Sequence, residues 1–260
     1  MRTEPELVFA ANQSYVRSYR TLVKHCPEGE IREVGGVFAF VTGLPISLFN
    51  GCVVVEPATA AQLETALDWV GGLGLPHRVW IAEDLTSVLG GVPLAHGFQR
   101  EPVPYPGMVL HPLPEPPARS RGVTVVPVGK SSLDEYHQVC VEGGMSAELA
   151  RRLFSPSFAG DADVELFTGR LDGRAVATSI AIRSGDVSGV YAVATLPAAR
   201  RRGLGTAVTW AAVAAGEAWG CDTIVLQASE MGSPMYAAMG FRTVVTYATF
   251  TRSRPGKTIE

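Results

Sequence analysis

Apolar and polar positions recur along this chain at two periods, and each stretch that keeps one period predicts an element. Residues 5–25 repeat apolar positions at helical spacing, 36–42 and 47–55 are strand-like runs, and 59–70 (TAAQLETALDWV) returns to the helical period. A short apolar run at 77–82 predicts another strand, and 86–96 a broken helix that runs into Gly97-Phe98. From His111 to Gly122 the sequence HPLPEPPARSRG has four prolines and no apolar period, which predicts a stiff, extended linker.

Beyond the linker, VTVVPV (123–128) is a β-branched run, Ser131 and Ser132 can cap a helix over 133–142, and a second short helix fits 146–154. Strands are predicted at 164–170, 174–183 and 187–195, the first two joined by Leu171-Asp172-Gly173-Arg174, whose Asp-Gly pair signals a hairpin. The result is an antiparallel meander. Residues 204–219 are so rich in Ala, with Val and Trp between, that they predict a buried helix, ended by Gly220. A strand at 223–227, a short helix at 234–239 and a last strand at 242–251 complete the chain. Both halves place an apolar strand, a short helical segment and a Gly-Phe pair in that order, at Gly97-Phe98 and Gly240-Phe241. Duplication explains that agreement; coincidence is the alternative, because a Gly-Phe pair is common.

Composition narrows the classes. The 260 residues exceed one typical domain of about 100–200 residues, and a chain 47% apolar and 18% charged can bury a substantial core. The expected division is residues 1–110, a linker at 111–122, and residues 123–260. Net charge is -3, and Lys and Arg are scattered apart from one cluster at 200–202, which argues against nucleic acid as a partner. Cys26, Cys52, Cys140 and Cys221 have no zinc or disulfide-framework spacing and read as reduced thiols of a cytoplasmic protein. The five histidines show no metal spacing either, so no metal is expected. Glu4 and Glu6 stand where a secretory signal needs a basic start, and no apolar stretch approaches the ~20 residues of a membrane span.

The chemistry concentrates in Val193-Ala194-Thr195-Leu196-Pro197-Ala198-Ala199-Arg200-Arg201-Arg202-Gly203-Leu204-Gly205-Thr206. A strand ends, a turn follows, and a long helix begins at two glycines. The first turn of a helix has N–H groups without intrahelical partners and the positive end of the helix dipole, so it suits a diphosphate. Glycine lets a ligand approach the backbone, and neighbouring guanidinium groups add charge and hydrogen bonds. Neither GxxxxGK[ST] nor GxGxxG is present. The segment resembles the coenzyme signature of the GNAT superfamily of CoA-dependent N-acetyltransferases: Arg or Gln, two residues, Gly, one residue, Gly or Ala. Arg200, Gly203 and Gly205 match its fixed positions, and Tyr236-Ala237-Ala238-Met239-Gly240-Phe241 matches the family's Tyr-x-x-x-Gly-Phe ending. The resemblance covers residues 123–251.

It implies an α/β fold of the α+β type, with two tandem GNAT-like domains, each a mixed, mostly antiparallel twisted sheet flanked by helices. It also implies transfer of an acetyl group from acetyl-CoA to a primary amine of a small molecule, amino acid or peptide, by direct attack in a ternary complex. Val193, Ala194 and Thr195 would lie along the pantetheine arm, Arg200, Arg201, Arg202, Gly203, Leu204, Gly205 and Thr206 would hold the diphosphate, and Ser229 would offer the arm a hydrogen bond. Tyr236 would protonate the departing thiolate, against the plainer reading of a packing tyrosine. Glu165 and Glu142 are candidates for the base, though each reads equally as a surface carboxylate, and Ser233 is expected to cap the helix of Tyr236. In the first half, Glu56-Pro57-Ala58-Thr59 replaces the arginine and glycine turn and Pro93 takes the place of Tyr236, so that half reads as a degenerate copy that completes a core, walls the acceptor site or forms a subunit interface. A homodimer is compatible with this reading. The other class of function is an acyl-CoA sensor without turnover.

Overall fold

The computed structural model describes residues 2–118 and 121–252. In chain order, α1 (Glu4–Lys24) is followed by β1 (Glu30–Val34), β2 (Val37–Val41), β3 (Asn50–Val54), α2 (Ala60–Gly72), β4 (Arg78–Ala82), α3 (Thr86–Leu89), α4 (Gly91–Ala95), β5 (Gln99–Arg100) and β6 (Tyr105–Leu110). Then come β7 (Val123–Pro127), α5 (Leu133–Glu142), α6 (Ala147–Leu153), α7 (Pro156–Ala159), β8 (Val164–Leu171), β9 (Arg174–Ser184), β10 (Val187–Thr195), α8 (Leu204–Ala218), β11 (Thr223–Gln227), α9 (Ser233–Ala238) and β12 (Arg242–Thr251).

These elements form two compact units that interleave: Met1–His25 with Gly107–Val244, and Cys26–Pro106 with Val245–Glu260. Both units are discontinuous in sequence, whereas the expected division runs in order, at 110 and 123. Each half gives its last strand to the other's unit, β6 pairing with β11 and β12 with β4, both antiparallel. The stretch 111–122 holds no helix or strand among its described residues; Arg119 and Ser120 of the expected linker lie outside them.

In the first unit, β7, β8, β9 and β10 follow one another antiparallel, β11 joins β10 in parallel, and β6 closes the row. The hairpin between β8 and β9 turns on Asp172 (φ 50°) and Gly173 (φ 88°), the backbone that an Asp-Gly pair supports. Ala-rich α8 makes the crossover from β10 to β11, burying Leu204, Val208, Ala212 and Val213. Gly220, at φ 82°, ends it. The opposite face is covered by α1, which packs on β9, β10 and β11. Its buried side is partly polar, with Ser14, Tyr15, Ser18 and Tyr19.

The second unit repeats the pattern. β1, β2 and β3 are antiparallel, β3 and β4 run parallel through the crossover helix α2, and β12 closes the row. Leu63, Ala66, Leu67 and Val70 of α2 are buried against Val37, Ala39, Cys52 and Val54 of the sheet. The weak repeat has a structural counterpart after each final short helix. The Phe98 N–H donates to the Pro93 carbonyl and the Phe241 N–H to the Tyr236 carbonyl, both at 3.0 Å, with Gly97 (φ 79°) and Gly240 (φ 97°) left-handed in the same place. Pro93 therefore stands where Tyr236 stands.

Candidate functional site

The site begins where two parallel strands part. β10 and β11 are in register only from Val187↔Thr223 to Gly189↔Val225. Past that point β11 continues to Gln227 on β6, while β10 continues to Thr195 on β9. Between Tyr191↔Ile180 and Ala194↔Thr178, three steps along β10 oppose two along β9, so β10 carries one extra residue. Such a bulge bends its strand. Ala192 takes the left-handed conformation there (φ 49°), and its carbonyl accepts a hydrogen bond from Thr178 Oγ1 at 3.0 Å. The Leu196 N–H donates to the Val176 carbonyl of β9 at 2.9 Å. Alternate amides of a strand point to opposite edges, so the Thr195 N–H faces the opening toward β11.

The two faces of this wedge follow from packing. A Cβ on Gly189 would lie 2.4 Å from the Tyr191 ring, and the Tyr191 hydroxyl donates to the Ser14 carbonyl of α1 at 3.2 Å, so both residues face α1. Val225 is in register with Gly189, and Gln227, two residues on, shares that face. Ile224 and Ser188 face the other way, toward Gly216 of α8. Sequence reasoning had not singled out Thr178, Tyr191 or Gln227; a threonine or tyrosine within a strand gives no signal of the partner that tertiary structure brings.

The strand ends at Thr195 and the chain makes a short 3-10 turn, Pro197–Ala199. Arg200 is extended, Arg201 is left-handed (φ 62°), and Gly203, also left-handed at φ 80°, is the N-cap of α8. No side chain caps this helix. Ala207 is the first residue whose N–H returns to a helical carbonyl, that of Gly203, at 3.0 Å. Arg200, Arg201 and Arg202 are exposed, and among the described residues none is in an ion pair; Arg200 Nε donates to the Thr195 carbonyl at 3.3 Å. Leu204 is 1% exposed and anchors the helix in the core, so only its backbone can reach a ligand. The two glycines differ in purpose. Gly203 supplies the left-handed cap, whereas the missing Cβ of Gly205 leaves room for Met235 of α9, whose sulfur lies 2.9 Å from the place a Cβ would take. The missing Cβ of Gly205 thus serves the packing of α9 on α8.

That contact brings α9 against the start of α8. Tyr236, the next residue, is buried, and its ring meets Phe241 edge-on at 5.8 Å. Gly232 makes room for the ring, since a Cβ there would lie 2.9 Å from Tyr236 and 3.3 Å from Ser229 Oγ. Ser229 holds the turn: its Oγ accepts from the Gly232 N–H at 3.1 Å and its carbonyl from the Ser233 N–H at 2.9 Å. Ser233 is the first residue of α9 and makes no side-chain cap; the N-cap is Gly232, held by Ser229, which keeps its hydroxyl hydrogen to donate. Val193 and Thr195 are half-buried and Ala194 is exposed along the same strand end.

The carboxylates stand apart. Glu142 accepts from Arg174 at 2.8 Å and Gln138 at 3.2 Å. Glu165 shares a strand face with Gly169, which abuts Leu204 and Val208, but lies four residues away, about 13 Å along β8. Burial raises its carboxyl above the usual range. A groove of about 550 Å³ beside Arg2, Phe9, Asp186 and Asp222 lies at the far ends of β10 and β11 and is bridged by Arg2, 2.7 Å from Asp186 and 3.0 Å from Asp222. Among the described residues no cluster of three or more potential metal ligands occurs, and no helix is long and apolar enough to cross a membrane.

The family model for the GNAT acetyltransferase domain matches residues 142–231, which span this wedge, turn and helix. No curated protein matches the sequence. Among solved structures, a GCN5-related N-acetyltransferase from Kribbella flavida is 22% identical, with 93% of this chain and 96% of that one covered and a TM-score of 0.65. A GCN5-related N-acetyltransferase from Sphaerobacter thermophilus is 14% identical over 88% and 84% of the two chains (TM-score 0.62). A tandem GNAT protein from the clavulanic acid biosynthesis pathway is 13% identical over 98% and 97% (TM-score 0.60). At such identities the likeness is one of fold, and it extends over both units. The chain thus shares the fold of a tandem GNAT protein, and residues 142–231 within it match the GNAT acetyltransferase domain model.

Proposed function

We propose that the first unit transfers an acetyl group from acetyl-CoA to a primary amine. The observation that carries this reading is the conjunction of an uncapped helix start, three exposed arginines and a strand pair that parts beside them. The amides at Gly203–Thr206 and the guanidinium groups of Arg200–Arg202 would hold the diphosphate. The pantetheine arm would run along Val193–Thr195, with Ser229 donating to it, and the Val193 or Thr195 N–H would polarise the thioester carbonyl. The amine nitrogen bonds to the carbonyl carbon, the C–S bond breaks, Tyr236 gives its proton to the sulfur, the proton lost by the nitrogen passes to solvent, and solvent returns one to Tyr236. Tyr191 and Gln227, on the α1 face of the wedge, would line the acceptor side. The second unit would take no part in this chemistry.

Thiol release from acetyl-CoA, followed across amines, aminoglycosides and peptides, tests the proposal. Release that depends on an added amine, and that falls roughly 100-fold in Tyr236→Phe with coenzyme affinity unchanged, is expected of a general acid. Binding of acetyl-CoA without release from any acceptor would replace the enzyme by a sensor.

A further inference from the structure

The oxyanion donor assumed above depends on the bulge of β10, and the bulge has a peculiarity. Its left-handed residue is Ala192, not glycine. A residue with a Cβ is disfavoured there and persists only where its surroundings hold it. One side chain does so: Thr178 Oγ1 donates to the Ala192 carbonyl at 3.0 Å. Thr178 is 2% exposed, and its backbone is held by pairing with Thr168 on one side and Ala194 on the other.

The direction of that bond has a consequence for the next amide. Among the described residues the one cis peptide is His111-Pro112, so the Ala192–Val193 peptide is trans. In a trans peptide the C=O and the following N–H point in opposite directions. With the carbonyl of Ala192 drawn to Thr178 on β9, the Val193 N–H points away from β9, to the side on which β10 has left β11. A bulge displaced by one residue would reverse this, because neighbouring peptides of a strand face opposite edges.

We infer that Thr178 is a positioning residue for the transfer reaction: its hydroxyl fixes the bulge at Ala192 and so aims the Val193 N–H into the wedge as the donor to the thioester oxygen. This inference rests on the acetyl-CoA reading. It separates the aiming of the amide from the grip on the diphosphate, which lies at α8.

The test uses the full-length protein with [1-13C]acetyl-CoA, whose thioester carbonyl band is read by infrared difference spectroscopy, beside affinity by calorimetry. In the wild type, binding should shift the band to lower frequency. Thr178→Ser keeps the hydroxyl and should keep the shift, Thr178→Cys, with a weaker donor, should lose part of it, and Thr178→Val should lose most of it. Affinity should change less than about threefold throughout, while thiol release with an active amine falls tenfold or more in Thr178→Val. The serine and cysteine variants decide the order even if the valine variant does not fold. A band unchanged across the series, or affinity falling in parallel with it, overturns the inference while the coenzyme reading stands. A wild type that binds no acetyl-CoA removes both.

Discussion

Each unit makes one parallel crossing through a helix, from β10 to β11 in the first and from β3 to β4 in the second, and the two crossings end differently. In the second unit β3 and β4 stay in register from Gly51↔Arg78 to Val54↔Ile81, the full length of β3 after its first residue. The helix start that follows is sealed. Thr59 Oγ1 accepts from the Gln62 N–H at 3.3 Å, and the Thr59 N–H donates to Gln62 Oε1 at 2.8 Å, a capping box. The turn between β1 and β2 closes over it, with Gly35 against the Gln62 side chain and Gly36 against the Pro57 carbonyl. In the first unit the strands part after three residue pairs, α8 has no side-chain cap, and a Cβ on Gly173, in the corresponding β8–β9 turn, would meet nothing within 4 Å. One topology therefore gives a closed structural crossing or an open one, according to whether the chain satisfies its own helix amides.

The largest expected effect removes the open crossing's charge. Arg200→Glu with Arg202→Glu should reduce acetyl-CoA affinity at least 100-fold, about 2.7 kcal/mol or more, because two attractions to a diphosphate become repulsions. All three arginines are exposed, so the melting temperature without coenzyme should hardly move, and stabilisation by coenzyme should vanish. The reciprocal change, Glu56→Arg, should confer no binding, since the capping box and the paired strands remain. Stabilisation that survives the double reversal would place the coenzyme elsewhere.

The sequence made the open crossing easier to read than the fold around it. Arg200, Gly203 and the helix at 204–218 form a local pattern, and so do the Asp172-Gly173 hairpin and Tyr236-x-x-x-Gly-Phe. β1 escaped notice because Glu30, Ile31, Arg32, Glu33 and Val34 alternate weakly and none of them is buried. The strand exchange was illegible for a different reason. The strands at 105–110 and 242–251 both follow a Gly-Phe pair, and nothing local states which of the two units each will join. The same holds for α1, whose polar inward face gives no hint that it covers β9 to β11. Thr178 is the extreme case, since its importance lies in one bond across a bulge.

A smaller effect concerns what holds α1 to the open unit. Asp161, just ahead of β8, is bonded by Lys24 Nζ at 2.8 Å, His25 Nε2 at 2.6 Å and the Asp163 N–H at 3.0 Å. Burial pushes its carboxyl up, but the bonds from Lys24, Asp163 and His25 outweigh this and hold it well below the usual carboxylate range. A depressed folded value means that the contribution is complete above the unfolded pKa near ~3.9 and is lost as pH falls below it. Asp161→Asn should cost about 1–2 kcal/mol at pH 7. The gap in melting temperature between wild type and variant should stay constant from pH 7 to about 5 and narrow toward pH 3. A gap that is constant to pH 3 would show that the ionised carboxylate contributes nothing.

The smallest effect tests the seal itself. Thr59→Ala removes the side-chain cap of α2, which should lower stability by about 1 kcal/mol, with the loss confined to urea or thermal unfolding. If the closed crossing is only structural, coenzyme affinity and thiol release should match the wild type within error, because the freed amides still lie beside strands that remain paired. The comparison sharpens in the triple change Glu56→Arg, Thr59→Gly and Gln62→Ala, which gives the second crossing a guanidinium and an uncapped start but leaves β3 on β4. Continued absence of a second acetyl-CoA site would assign to the parting of the strands what the cap and the charge do not explain. A second site appearing in calorimetry would reverse that assignment and make the helix start sufficient.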